Sequence, residues 1–294
     1  MVALMPFWAS AYYLQLASTA LIAAMFALSL QILVGGVGLV SLAHGAFYGL
    51  GAYSVYLLGR VLPEMPSILM SLPAAGFLTG AVAAVIAPMV LRTRGFFFLM
   101  VTLAFGQMLF YLFHDTPLGG GTDGVFIQRP DLGWTITRAE RPTVFLLLNL
   151  GTLAMMYATL WWFMQTLLGQ ALAGIRANEP RMRTMGHDVR RMQYVAFVLA
   201  GVMAGVAGHM AAITDAFVTP DLLSWHRSAE ALLAVLLGGI GWLHGPILGA
   251  IAFTAIGEFG QHLTERQRLV EGGVILLAVL AMRYGLAGLR RRAR

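Results

Sequence analysis

Long stretches without a charged side chain constrain this chain more than any other feature. They run roughly over 11–34, 37–59, 67–91, 95–113, 142–166, 192–214, 231–257 and 272–282, the last extended at its start by Leu269 and Val270. A helix needs about 20 mostly apolar residues to cross bilayer hydrocarbon. One Arg or Asp at its centre costs about 2.5–3.5 kcal/mol, which cancels several leucines at about 0.3–0.6 kcal/mol each. Eight charge-free segments therefore predict an all-α, polytopic membrane protein of about 8 to 10 transmembrane or re-entrant helices. Composition agrees, because charged residues are 11% of the chain where a soluble domain averages roughly 25%.

The kind of charge excludes whole classes of chemistry. All 19 basic residues are arginine, so no phosphate-binding loop of the GxxxxGK[ST] type and no Schiff base can form. With no cysteine there is no thiol nucleophile, disulfide or thiolate metal site. The chain is thus not expected to be an enzyme, to hold a cofactor or metal, or to hydrolyse nucleotide itself. A net charge of +6 would suit nucleic acid, but the arginines lie in short loops and at the tail, so they report topology instead. No basic residue precedes Arg60, which is unlike a cleaved signal peptide, and the first span is expected to be retained.

Arginine clusters orient the spans, since short basic loops stay cytoplasmic. Arg92 and Arg94 form one cluster; Arg176, Arg181, Arg183, Arg190 and Arg191 a second; Arg290, Arg291, Arg292 and Arg294 a third. Residues 1–294 then form one integral membrane domain. It has a long external loop over 114–141, a cytoplasmic loop over 167–191 and a basic cytoplasmic tail over 283–294. Single crossings by every segment would leave the tail outside. The interrupted run GGIGWLHGPILGA inside segment 231–257 resolves this if it is a re-entrant pair of half-helices or two short crossings. Irregular backbone at that depth is tolerated only against protein or a water-filled cavity, so the break points to a pathway.

That run has an earlier echo. GGVGLVSLAHGAFYGLGA over Gly35–Ala52 and GGIGWLHGPILGA over Gly238–Ala250 both read GG[VI]G and then HGxxxG, the second copy three residues shorter. Paired glycine-broken segments in transporters aim half-helix ends at a substrate near the bilayer midplane. The same glycines also allow close helix crossings, and the two uses are compatible. On the first reading, Ser41, His44, Gly45, Gly49 and Gly51, with Gly238, Gly239, Gly241, His244, Gly245 and Pro246, line a translocation path.

Four blocks, in order, carry a resemblance. QILVGGVGLVSLAHGAFYGLGAY over 31–53 is similar to the GxxGxxSLGHAAFFGxGAY helix of the permease subunits of branched-chain amino acid ABC transporters. GGGTDGV over Gly119–Val125 resembles their external TGGxDG motif. GIRANEPRMRTMGHDVRRMQYVAFVLAGVMAGVAG resembles their cytoplasmic loop and next helix, and LLGGIGWLHGPILGA their late GGxGxxxGPxxGA helix. The departures are Gln31 where Asn is usual and Arg181 to Thr184 after the Glu-Pro position.

The resemblance implies an ABC importer permease fold in a bacterial inner membrane, a second permease subunit (paralogous or identical), two cytoplasmic ATPase subunits that use the ATP, and a periplasmic solute-binding protein. It also implies that Arg176, Ala177, Asn178, Glu179, Pro180 and Gly186 belong to a helix that couples to the ATPase. Gly121, Thr122, Asp123 and Gly124 would face the binding protein. From the residues themselves, Gln170–Gly186 reads as a short helix stopped at Gly186, with Pro180 starting a turn or a kink and Arg176 and Glu179 on one face. Thr122 or Asp123 suits a helix cap.

Other polar residues are less specific. His44, His209 and His244 lie in predicted spans without nearby acids, and the simplest reading is a neutral imidazole bonded to a helix carbonyl. Ser41, Gln107 and Asn149 can glue helices or wet a pore. Asp215, Asp221, Arg227 and Glu230 read as solvated. The alternative function is a stand-alone secondary transporter or channel for amino acids, urea or small amides, which normally needs a mid-membrane acid for ion coupling. The one near candidate is Glu258, at a segment edge.

Overall fold

The structure, a computed structural model, describes residues 10–62, 67–131, 137, 139–263 and 272–273. Helix α1 (Ala11–Gln31) runs on into a π-helical turn, Ile32–Val37, and α2 is His44–Val61. Then come α3 (Ile68–Val90), α4 (Phe96–His114), two 3-10 turns (Pro117–Gly119 and Gly121–Asp123) and strand β1 (Val125–Phe126). They are followed by α5 (Arg141–Gln165), α6 (Leu167–Ala177), α7 (Glu179–Thr184) and α8 (Val189–Asp215). Strand β2 (Phe217–Val218), a 3-10 turn (Pro220–Leu223), α9 (Trp225–Gly238) and α10 (Gly245–Leu263) complete the described chain.

Among the described residues five helices are long and apolar enough to cross a bilayer: α1 with its π extension, α3, α4, α5 and α8. Their burial sorts them. In α1 and α8, 83% and 78% of the most apolar window is buried inside the chain, against 22% in α4 and 33% in α3. Phe77, Val85, Phe96, Phe97 and Met108 accordingly point outward, where lipid or another protein must cover them.

Helix α8 can be central because glycines stand where it crosses its neighbours most closely. A Cβ on Gly205 would overlap Thr79 of α3, and one on Gly208 would overlap the Tyr48 carbonyl of α2. Gly51 of α2 lies against the Gly205 backbone with no room for a methyl group. Small residues at crossings let two backbones approach, the main packing device where lipid offers no hydrophobic drive. His209 on the same helix is fully buried, with Ser54 Oγ 3.2 Å from Nδ1 and Ser71 Oγ 3.1 Å from Nε2. Its partners are hydroxyls rather than the helix carbonyl the sequence suggests.

Two faces can be told apart. On one, Tyr12 at the start of α1 donates to Glu258 late in α10, and the Ile68 N–H donates to the Asp131 carbonyl at 3.0 Å. On the same face β1 pairs antiparallel with β2, Val125 opposite Val218. Arg129 gathers the end of α8 there, its Nε and Nη2 donating to the Ile213 and Thr214 carbonyls at 2.7 and 2.9 Å. On the other face Arg94 meets Glu179 at 3.4 Å, so the first and second arginine clusters lie together.

The break expected in segment 231–257 is present, because α9 and α10 are separate helices and the latter returns to the face of Tyr12. That return supplies the additional crossing that the parity argument asks of this segment. The eighth segment and the tail over 283–294 lie outside the described residues, apart from Gly272 and Gly273. The second segment differs from expectation. Instead of one span over 37–59, α1 ends in the π turn, the chain is non-helical from Gly38 to Ala43, and α2 begins only at His44. Gly38, at φ +81°, makes the reversal that a side-chain-bearing residue would resist.

Gly205→Leu is expected to lower the melting temperature of the detergent-purified protein, since overpacking costs about 1–3 kcal/mol or more. Gly151→Ala, on an exposed part of α5 with nothing near its Cβ position, should be neutral or stabilising by up to about 1 kcal/mol.

Candidate functional site

The two glycine-broken segments, 200 residues apart in sequence, meet in space. Gln31 Nε2 donates to the Ile240 carbonyl at 2.6 Å and lies 3.3 Å from that of Trp242. Both carbonyls belong to the gap between α9 and α10. A side chain at Gly35 would collide with Gln31 and with the Ile240 carbonyl. Higher up, Ser228 of α9 bridges the first break, accepting from the Gly45 N–H at 2.6 Å and donating to the Leu42 carbonyl at 2.8 Å. The Leu42 N–H in turn donates to Thr102 Oγ1 of α4 at 3.1 Å. Backbone freed by the breaks is thus paired by side chains, as low-dielectric surroundings require.

Satisfaction is incomplete around the first break. Ser29 Oγ lies 2.8 Å from His44 Nε2, but His44 Nδ1, Ser41 Oγ and Gln31 Oε1 are buried without a hydrogen-bond partner. Three unpaired polar atoms in a packed interior cost roughly 1–3 kcal/mol each unless water or a solute meets them. Ser41, His44, Gly45, Gly49 and Gly51 are all buried, as are Gly238, Gly239, Gly245 and Pro246, whereas Gly241 and His244 are exposed at the arginine-rich face.

On that face α6 packs against the π turn that opens the first break, and α7 packs against α6 and α8. The one-face pairing expected for Arg176 and Glu179 is not formed, because extended Asn178 (φ −161°) ends α6 and caps α7, its side chain accepting from the Arg181 N–H. Pro180 sits in the first turn of α7, as its missing N–H allows. Gly186, at φ +86°, closes the helix: its N–H donates to the Arg183 carbonyl and that of His187 to the Met182 carbonyl. Arg176 Nη1 instead reaches back to the Gly35 carbonyl at 2.7 Å, at the π turn of α1. Glu179 is shared by Arg183 at 2.6 Å and Arg94 at 3.4 Å. A 280 Å³ cavity lies between these elements, bounded by Gly38, Arg94, Arg176, Asn178, Glu179 and Gln193.

On the opposite face GGGTDG is a string of tight turns, with Gly120, Gly121 and Gly124 at φ +77°, +70° and +74°. Neither Thr122 nor Asp123 caps a helix there; Thr116 does, accepting from the Leu118 N–H. Gly124 abuts the Val218 carbonyl, so the motif is locked to the β1–β2 pair. Burial lowers the Arg129 pKa, Arg141 adds to this and Asp215 opposes it. Asp215 and Arg227 are exposed and Glu230 is half-exposed, as the solvated reading expects, and all three also border a 140 Å³ cavity that touches Phe26, Tyr48 and Phe253.

Sequence reasoning missed Ser228 and Ser29 and read Arg94 only as a topology signal; the partners of Ser228 are 183 and 186 residues away, that of Ser29 is on another helix and that of Arg94 is in the second arginine loop, so none leaves a local signal. Gln31 was legible as a departure from a motif, though its long-range amide contact was not.

A helical membrane domain with two touching backbone breaks and a helix pair tied to one of them defines a permease. The chain matches the family model described as "Branched-chain amino acid transport system / permease component" over residues 12–279, and it belongs to that family. It is 29% identical to the high-affinity branched-chain amino acid transport system permease protein LivM of Escherichia coli K12, over 97% of this chain and 72% of that protein. It is 22% identical to LivH of the same strain, over 90% and 91%. A solved chain titled PsaBC from Streptococcus pneumoniae in complex with Fab has 15% identity and a TM-score of 0.46, covering 94% of this chain and 91% of that one.

Replacing Ser228 by Ala strands the Gly45 N–H and frees the Leu42 carbonyl. Hydrogen–deuterium exchange over residues 42–48 should then quicken roughly tenfold or more, from a loss of about 1–3 kcal/mol.

Proposed function

We propose that this permease is the membrane-spanning subunit of an ATP-binding-cassette importer for branched-chain or related hydrophobic amino acids in a bacterial inner membrane. The arginine-rich face lies in the cytoplasm, where α6 and α7 dock on two ATPase subunits. A second permease subunit completes the path, and a periplasmic binding protein delivers solute to the face carrying Gly121, Thr122, Asp123 and Gly124. The chain itself performs no catalysis and holds no cofactor; ATP is used by its partners.

The observation that carries this reading is the hydrogen bond from Arg176 to the Gly35 carbonyl. Helix α6 packs Ala171, Leu172 and Ile175 inward and leaves Leu167 exposed, while Met185 is exposed at the end of α7. Force applied to that exposed surface reaches Gly35 through one guanidinium and then, through Gln31, the gap between α9 and α10. ATP binding and hydrolysis bias two states of that break because docking differs between them. The glycines supply the hinge freedom that the movement needs.

The assembly should co-purify with an ATPase pair. Arg176→Ala combined with Glu179→Gln should lower ATP-driven uptake about tenfold, from loss of a charged hydrogen bond and its neighbouring ion pairs. Retained size-exclusion behaviour would show that the fold survives. Uptake by the isolated chain in liposomes without any ATPase would overturn the reading.

Orientation has a separate test, made simple by the absence of cysteine. Asp123→Cys should react with a membrane-impermeant maleimide in intact spheroplasts, and Arg190→Cys only after permeabilisation. The reverse pattern would invert the topology.

A further inference from the structure

We propose that the 140 Å³ open cavity bordered by α1, α2, α8, α9 and α10 is a binding site within this chain for the zwitterionic amino acid in transit: Phe26 and Tyr48 receive its branched side chain, while Asp215, Arg227 and Glu230 receive its charged end. The site rests on the importer reading above and adds a stopping point between delivery and the break.

Size is the first argument. A cavity of about 150 Å³ lined by apolar side chains holds benzene, so this one accepts a three- or four-carbon branched side chain and leaves the α-carbon groups at its mouth. The room exists because Ala23, Ala231, Ala234 and Ala250 stand where larger residues would fill it. Its floor is aromatic, with the Phe26 and Tyr48 rings 4.5 Å apart.

Charge is the second argument. The mouth holds one cation between two anions, and Arg227 Nη1 already lies 3.0 Å from Glu230 Oε2. A zwitterion entering there places its carboxylate on the guanidinium and its ammonium on Asp215 or Glu230, so every charge keeps an opposite neighbour. A plain carboxylic acid or amine leaves one protein charge less well matched and so binds less well. Arg227 and Glu230 belong to the first turns of α9, whose Ser224 side chain makes no cap bond, and that helix end adds positive potential for a carboxylate.

Position is the third. Phe26 stacks on His44 at 5.6 Å, and His44 is the first residue of α2 beyond the non-helical break. Its Nδ1 is buried and unpartnered. The cavity floor is therefore the outer wall of the first break, so a shift of Phe26 away from His44 opens the one toward the other.

Equilibrium dialysis of radiolabelled leucine against the purified permease–ATPase assembly, without binding protein, tests the site directly. Saturable binding is expected, with 4-methylpentanoic acid and isopentylamine competing roughly tenfold or more weakly than leucine, as loss of one charged contact implies. Arg227→Gln should weaken leucine binding by about the same factor. In proteoliposomes with saturating binding protein, Ala231→Leu should lower the leucine-to-alanine uptake ratio roughly tenfold, since a filled pocket discriminates by side-chain size. That ratio does not depend on how much protein folds. Absence of saturable leucine binding, equal competition by the acid and amine, or a wild-type ratio in Ala231→Leu would overturn the site. Wild-type vesicles that take up no branched-chain amino acid while the dialysis succeeds would indict the importer reading and leave the site standing.

Discussion

Every feature of this molecule depends on the demand that main-chain N–H and C=O groups find partners where no water is available. A continuous helix meets that demand by itself; a broken one cannot. Among the described residues the chain interrupts two such segments, at 38–43 and at 239–244, and the two breaks are repaired against each other. The Gln31 amide serves the second break, and the Ser228 hydroxyl serves the first. Mutual repair makes the pair a unit: neither α9 nor the start of α2 can move far without exposing carbonyls or amides of the other.

Such a unit must be both held and moved. It is held by α8, whose glycines draw α2 and α3 close enough that backbone faces backbone at Gly51 and Gly205. Close-packed contacts of this kind have one good arrangement and tolerate little sliding. On the proposed importer reading the moving element is the α6–α7 pair, tied to the rest by polar contacts through Arg176, Glu179 and Arg94 as well as by the packed side of α6. Exposed ion pairs contribute little to stability, so they can be rearranged at small cost when a partner docks. Rigid packing near α8 and adjustable charge near Gly35 are what a gated path requires.

Much of this was legible before any coordinates. The charge-free runs announced helices in lipid, the arginine clusters assigned two of the loops to one face, and the parity conflict located the second break. The break at 38–43 was only half visible: its glycines and its echo at 238–250 marked it, but a span over 37–59 looked continuous because hydropathy does not record where a helix unwinds. The reading of Asp215, Arg227 and Glu230 as solvated agrees with their exposure but did not reveal the cavity that they border. A charge near a span end has the same local sequence whether it faces bulk water or the mouth of a cavity.

The amino-acid sequence alone determined the apolar solvent, the helical class and the residues at which the chain interrupts itself, because these follow from composition and order along the chain. Tertiary structure decided which interruption meets which, that Arg176 bonds to Gly35 rather than sharing a face with Glu179, and that four alanines from three helices leave a cavity beneath three charges. Those are relations between residues far apart in sequence, and their energies exist only once packing has brought the partners within hydrogen-bond or van der Waals distance.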